Sequence, residues 1–210
     1  MRHQINGELM GKNQLEIVLR IARKKGILRT CDLKNYAIDN KILTRLVRSG
    51  QLIRVGRGLY RLPDMEYETP HYTYAEIQKR FPKSVICLIS ALAFHEITTQ
   101  IPMELWLAIG EKDWRPKSDS IPIRVVRFSK QALKEGVQLY PIEGVSVQIT
   151  NPARTVADCF KYRNKIGMDV AIESLKEGLT DRRFTRDEIW QYSKFCRVNN
   201  VMRPYLESMT

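Results

Sequence analysis

The chain has 210 residues, 43% of them hydrophobic and 28% charged, so it can bury a core and is no disordered or low-complexity chain. Thirty-five Lys+Arg against 23 Asp+Glu leave a net charge of +12, which favours a polyanionic partner, either nucleic acid or an anionic membrane surface. The longest apolar stretch, Val85 to Phe94, is interrupted by Ser90. It falls far short of the roughly 18–20 residues that a membrane-spanning helix needs.

The positive charge is unevenly placed. Residues 1–64 hold 14 Lys+Arg and 5 Asp+Glu, a net +9, whereas residues 65–210 hold 21 and 18, a net +3. A charge that serves only solubility is diluted over a surface; one that serves binding is concentrated. The opening ten residues, MRHQINGELM, contain no apolar core, so no secretory signal is expected there. Cys31, Cys87, Cys159 and Cys196 stand at least 37 residues apart, and no CxxC pair exists, so neither a zinc site nor a redox motif is expected. Reduced thiols in the cytoplasm are the default expectation. His3, His71 and His95 are equally scattered.

From about Gln14 to Lys25, Leu15, Val18, Leu19 and Ala22 follow the spacing of a helix with one apolar face, and Gly26 closes it. Thr30 is placed to cap a short helix over Cys31 to Ala37, with Leu33, Tyr36 and Ala37 on its buried side. Asp39 or Asn40 can cap the next helix, Lys41 to Ser49, which Gly50 ends. At 100° per residue, Lys41, Thr44, Arg45 and Arg48 share one face and Ile42, Leu43, Leu46 and Val47 the other. The polar face is therefore cations and a hydroxyl, without acids.

Residues 51–62 then read as a hairpin in which Gly56-Arg57-Gly58 forms the turn. Leu52 and Leu62 are its inward candidates, and Arg54, Arg57 and Arg61 its exposed cations. Helix, short helix, basic amphipathic helix and basic hairpin, in that order, predict a winged helix-turn-helix. An α-helix fits the DNA major groove, where its outward side chains reach base edges. An arginine at a hairpin tip can follow the backbone or enter a narrow minor groove. The candidate DNA contacts are Arg29, Thr30, Lys34, Asn40, Lys41, Thr44, Arg45, Arg48, Arg54 and Arg57. A three-helix bundle with a hairpin also occurs as a protein-interaction module.

Three stretches carry a resemblance: residues 26–33 (GILRTCDL), 46–52 (LVRSGQL) and 54–63 (RVGRGLYRLP). They resemble the N-terminal domain of the AbiEi family, antitoxins of type IV toxin–antitoxin systems. Residues 87–92 (CLISAL) with His95, 123–128 (IRVVRF) and 151–158 (NPARTVAD) resemble that family's C-terminal domain. Altogether the resemblance spans about residues 12–178. It implies a DNA-binding repressor that regulates its own operon through an inverted-repeat operator, with two copies per operator. It further implies antitoxin activity against a nucleotidyltransferase-like toxin, without a stable complex between the two. The candidate antitoxin-domain motif is Arg154 with Asp158.

Between the halves, Met65 to Pro70 and a candidate helix, Tyr74 to Arg80, mark a linker over residues 65–82. The second half reads as mixed. Ser84 to Glu96 is predicted as a buried helix. Glu104 to Ile109 and Ile121 to Phe128 are strands, and Val137 to Tyr140 with Val145 to Ile149 form a strand pair across Glu143-Gly144. Helices follow over Pro152 to Tyr162, with proline at its favoured first position, and over Met168 to Glu177. Thr185-x-x-Glu188 is a capping box before a helix over Asp187 to Arg197.

Catalytic patterns are sparse. No Glu-x-Lys triplet occurs, and Asp32-x-Lys34 and Asp39-x-Lys41 lie in the helical basic region, away from any core strand. Two carboxylates must converge on a metal for hydrolysis of a phosphodiester. Asp-x-Asp, Gly-Ser, GxxxxGK[ST], GxSxG and HExxH are all absent. No catalytic residue, metal or cofactor is expected, and His95 beside Glu96 reads as helix-end packing. Arg154 and Asp158, at i and i+4, can form either a tertiary salt bridge or a ligand or partner contact. Trp106 and Trp114 read as core and loop packing rather than as a base-stacking platform. Arg124, Arg127, Lys161, Arg163, Lys165 and Arg182-Arg183 read as a solvated surface.

The expectation is an α+β protein: a winged helix-turn-helix over 1–64, a linker with a bridging helix over 65–82, and a mixed α/β domain over 83–210. A nucleic-acid-acting enzyme targeted by a winged helix remains the alternative, beside the protein-interaction module. The partners expected are duplex DNA and, functionally, the toxin, with no membrane.

Overall fold

The computed structural model describes residues 2–64, 71–118 and 121–209, with side chains from residue 14 onward. It is a mixed α+β chain with two sheets. Two compact units divide it, residues 1–82 with 141–146 and residues 83–140 with 147–210. The Met65–Pro70 part of the expected linker lies outside the described residues.

The first unit begins with α1 (Arg2–Lys25), strand β1 (Leu28–Arg29) and a 3-10 helix (Thr30–Tyr36). Helix α2 (Lys41–Arg48) and the hairpin strands β2 (Ile53–Gly56) and β3 (Leu59–Arg61) follow. Val18, Ile21 and Ala22 of α1 meet Leu28, Leu33, Leu43, Leu46, Leu52 and Leu62 in one core, as the helical spacing and the inward pair of the hairpin require. Each fully buried leucine contributes about 1.5–3 kcal/mol, so this core holds α2 firmly from its inner side.

Two local details depart from the sequence reading. The short helix is 3-10, and its cap position is Arg29, not Thr30. Asp32 accepts the Arg29 amide at 2.9 Å and the Lys25 ammonium at 2.8 Å, whereas the Thr30 hydroxyl is drawn across to the Gly58 carbonyl. The hairpin also has a third strand. β1 pairs antiparallel with β3, Leu28 opposite Tyr60 and Arg29 opposite Leu59, giving the order β1-β3-β2. Gly58 adopts φ +72°, and a Cβ there would stand 3.1 Å from the Thr30 hydroxyl. The glycine is thus needed twice, for the turn and for this approach. Helix α3 (Tyr72–Arg80) completes the unit, with Tyr74 to Gln78 all buried.

The second unit is built on a five-stranded sheet in the order β6-β5-β4-β8-β7. Its strands are β4 (Val85–Ile86), β5 (Leu105–Gly110), β6 (Ile123–Phe128), β7 (Val137–Ile142) and β8 (Val145–Thr150). β4 runs antiparallel to β5 and parallel to β8, and β5 runs parallel to β6. The predicted helix over Ser84 to Glu96 is therefore corrected. Val85-Ile86 is a strand, and only Leu88–Phe94 is helical (α4), with Cys87 extended and Leu88 at φ +50° between them. A β-branched pair inside an apolar run has no alternation to announce it, and a buried sheet position claims it.

Helices α5 (Pro152–Lys161), α6 (Arg163–Ile166), α7 (Met168–Thr180), α8 (Arg186–Phe195) and α9 (Asn199–Ser208) follow the sheet. α5 is capped as predicted: Asn151 Oδ1 accepts the Arg154 amide at 2.8 Å and Pro152 opens the first turn. The Thr185–Glu188 capping box of α8 is also present. α5 has Ala153 to Phe160 continuously buried, which makes it the central helix of the unit. Sequence reasoning missed α9, which accommodates Pro204 in its interior. No helix among the described residues is long and apolar enough to cross a membrane.

Candidate nucleic-acid interface

Helix α2 presents the face that its periodicity requires. Leu43 and Leu46 are buried, Ile42 and Val47 half-buried, and Lys41, Thr44, Arg45 and Arg48 all exposed. Asp39 Oδ1 accepts the Lys41 amide at 2.9 Å, so Asp39 rather than Asn40 supplies the side-chain bond at the helix start. Among the described residues, the side chains of Lys41, Arg45 and Arg48 make no hydrogen bond or ion pair. Two turns of helix therefore hold three cations without an internal acceptor, beside one free hydroxyl. No acid dilutes them.

The hairpin behaves differently from residue to residue. Arg57, at the tip, is exposed, and among the described residues its side chain has no partner. Arg54 is exposed, but its Nε donates to the Gly56 carbonyl at 3.3 Å. Arg61, expected as an exposed cation, is half-buried and donates to its neighbour's carbonyl, Leu62 O, at 3.1 Å. It stands opposite Ile53 in the ladder, on the face away from Leu52 and Leu62. Lys34 and Asn40 are exposed, whereas Arg29 and Thr30 are half-buried and belong to the junction of the 3-10 helix with the sheet. Of the ten candidate DNA contacts, the structure puts Lys41, Thr44, Arg45 and Arg48 on one helix face.

The acidic partners in this unit sit at junctions. The Asp32 carboxyl is held below its ordinary range: burial opposes this, but the Lys25 ammonium and the Arg29 amide outweigh it. Lys79 is pushed below the usual lysine range by burial, with Lys25 and Arg29 adding repulsion and Asp32 opposing.

The Arg154–Asp158 motif lies in the second unit and is wholly enclosed. Arg154 Nε donates to Asp158 Oδ2 at 2.9 Å, with both side chains at 0% exposure. Arg154 Nη1 donates to the Glu135 carbonyl at 2.9 Å, and the Cys196 thiol donates to Asp158 Oδ1 at 3.2 Å. The guanidinium carbon stands 4.6 Å from the Phe195 ring centre and 5.4 Å from that of Phe128. Those ring faces supply the attraction that Nη2 lacks, since Nη2 has no hydrogen-bond partner among the described residues. Gly136 is required here, because a Cβ would come within 2.9 Å of both Arg154 and Tyr192.

Burial raises the Asp158 carboxyl above its ordinary value even beside Arg154, and it pushes the Cys159 and Cys196 thiols well up. Tyr162 is raised to about 12, chiefly by burial and then by the Asp158 charge. The ion pair itself lies within α5, at i and i+4, and is tied to other elements through the Glu135 carbonyl and the Cys196 thiol.

Two exposed arginines of the second unit are engaged by their neighbours. Arg124 lies 4.7 Å over the Trp106 ring and pairs with Glu104 at 3.4 Å, and Arg183 pairs with Glu96 at 3.1 Å. Among the described residues, no three His, Cys, Asp or Glu side chains gather as metal ligands. His95 is buried and bonds the Thr150 carbonyl at 2.7 Å, in agreement with helix-end packing. Trp106 is core, at 3% exposure. Trp114 is not: it is 97% exposed, so its expected packing is corrected.

Over its helices and hairpin, the first unit is similar to a class of transcriptional regulators. Residues 16–63 match the family model described as a transcriptional regulator, AbiEi antitoxin, which bears out the family resemblance over that segment. The match ends at Pro63, just past the hairpin, and does not extend to the second-half motifs. No curated protein matches the chain. The crystal structure of the RV2827C protein from Mycobacterium tuberculosis is similar in fold, with a TM-score of 0.57 at 12% identity, covering 94% of this chain and 80% of that one.

Proposed function

We propose that the first unit is a winged helix-turn-helix that binds duplex DNA, with α2 as the recognition helix and the β2–β3 hairpin as the wing. The carrying observation is the α2 face, where Lys41, Arg45 and Arg48 are exposed beside Thr44, without acceptors among the described residues. Cations held out from a rigid helix neutralise phosphates and reach guanine edges, which a bidentate guanidinium recognises. In this reading Thr44, Arg45 and Arg48 meet bases, while Arg54 and Arg57 hold phosphates or the minor groove.

The chain then acts as a sequence-specific repressor of its own operon and as the antitoxin of a type IV toxin–antitoxin system. The family match over residues 16–63 supports this. An inverted-repeat operator would take two copies, one per half-site. The second unit serves antitoxicity without catalysis, and Arg154–Asp158 maintains its fold. The cytoplasm is where such a regulator meets DNA.

A reporter driven by the promoter upstream of the chain's own gene tests this reading. Wild-type protein should repress it, and Arg45→Ala/Arg48→Ala should release repression while the protein remains folded. Unchanged repression by that variant contradicts the assignment of α2.

A further inference from the structure

Trp114 lies in the loop between β5 and β6 with its indole 97% exposed. An indole carries a large apolar area, and leaving it in water forgoes the burial that normally fixes a tryptophan. The loop is nevertheless firmly held on both sides of this residue. Arg127 Nη1 donates to the carbonyls of Gly110, Glu111 and Asp113, and Asp113 Oδ2 accepts the Gly110 amide at 3.0 Å. Two residues beyond the indole, Pro116 is buried.

The surroundings are basic. Lys112, Arg115 and Lys117 are exposed on the same loop, whereas Asp113 is turned back onto the Gly110 amide, leaving Glu111 as the exposed acid among the loop's described residues. A flat aromatic face flanked by cations, on a backbone already ordered, is the chemistry of single-stranded nucleic acid recognition. Unpaired bases offer a π-face to stack, and the adjoining phosphates take the cations. Prior ordering of the loop lowers the entropic cost of that contact. Paired bases in a duplex keep their faces inside the stack and offer the indole no such surface.

We propose that the Trp114 loop is a stacking site for an unpaired base of single-stranded nucleic acid, with Arg115 and Lys117 on its flanking phosphates. This goes beyond the duplex-binding reading of α2, since it concerns another unit and another form of nucleic acid, and it does not depend on that reading.

The test uses the full chain and fluorescein-labelled 12-nucleotide oligo-dT, oligo-rU and a 12-base-pair duplex, titrated by fluorescence anisotropy at low salt. Trp114→Ala should weaken binding to at least one single strand about 10-fold, the size expected for one stacked base. Trp114→Phe should keep most of the affinity. Duplex binding and the melting temperature should be unchanged, because the indole packs against nothing. Loss on oligo-rU alone would assign the site to RNA, and equal loss on both strands to unpaired bases of either sugar. Equal affinity of wild type and Trp114→Ala for both single strands overturns the proposal, as does a loss confined to the duplex. Absence of single-strand binding by the wild type overturns it equally.

Discussion

Helix α2 and helix α5 both carry arginines in short amphipathic sequences, yet they put them to opposite uses. On α2, Arg45 and Arg48 are exposed without acceptors among the described residues. On α5, Arg154 is enclosed by a carboxylate, a carbonyl and two aromatic rings. A cation without an internal partner is available to an external anion, while one that is paired and enclosed is part of the core. The difference also explains the charge asymmetry. The first 64 residues carry a net +9, with Lys41, Arg45, Arg48 and Arg57 exposed, whereas in the second unit Arg124, Arg127, Arg154 and Arg183 meet acids, carbonyls or rings.

The sharpest way to break this contrast is to disturb α5. Arg154→Met leaves Asp158 buried without its cation, which costs about 3–5 kcal/mol. For a chain of this size a loss of that order lowers Tm by about 6–20 °C. Adding Asp158→Leu should recover part of the loss, because an apolar pair needs no partner. Thermal melts of the single and double variants check both. A thermally normal Arg154→Met that no longer rescues cells from the toxin would turn α5 into a functional site.

On α2 the expected stability effect is near zero and the binding effect large. Arg45→Ala should cost about 1–3 kcal/mol on the preferred duplex and relax sequence preference at one position, as read by competition binding. Arg57→Ala should weaken all duplexes alike and flatten the salt dependence by about one unit. A selective loss on narrow A·T tracts would instead place Arg57 in the minor groove.

The smallest effect concerns pH. Burial lowers the His95 pKa from 6.5, while its bond to Thr150 opposes and the Arg183 charge assists. The unfolded chain therefore binds the proton first. Stability is full above about pH 6.5 and declines as pH falls below it toward the folded value. His95→Gln should remove that acid-side decline, which melting temperatures between pH 5 and pH 8 would reveal.

Much of the first unit was legible because its helices are amphipathic. The 3.6-residue spacing of Leu43, Leu46 and Val47 settles which side chains of α2 face water, and Leu52 with Leu62 sets the hairpin's inner face. Strand β1 was not legible: two residues carry no alternation, and their partners in β3 lie some thirty positions away. β4 was hidden inside an apolar run that helix and strand share equally well. The Arg154–Asp158 spacing announced a pair, but its total enclosure depends on Phe128, Phe195 and Gly136, brought from distant elements. Trp114 misled because tryptophan normally belongs to a core, and only the fold shows that nothing covers it.

The account rests most directly on the α2 face, and the salt dependence of duplex binding measures it. The full chain and the variant Lys41→Ala/Arg45→Ala/Arg48→Ala would be titrated onto one duplex, that upstream of the chain's own gene, from 50 to 200 mM salt. If all three cations neutralise phosphates, the slope of log K against log salt should fall by about 2.7, with slightly less than one counterion released per contact. Cations that read bases contribute less to the slope, but their loss should abolish the preference for that duplex over random DNA. An unchanged slope together with unchanged preference would contradict α2 as the DNA-reading element.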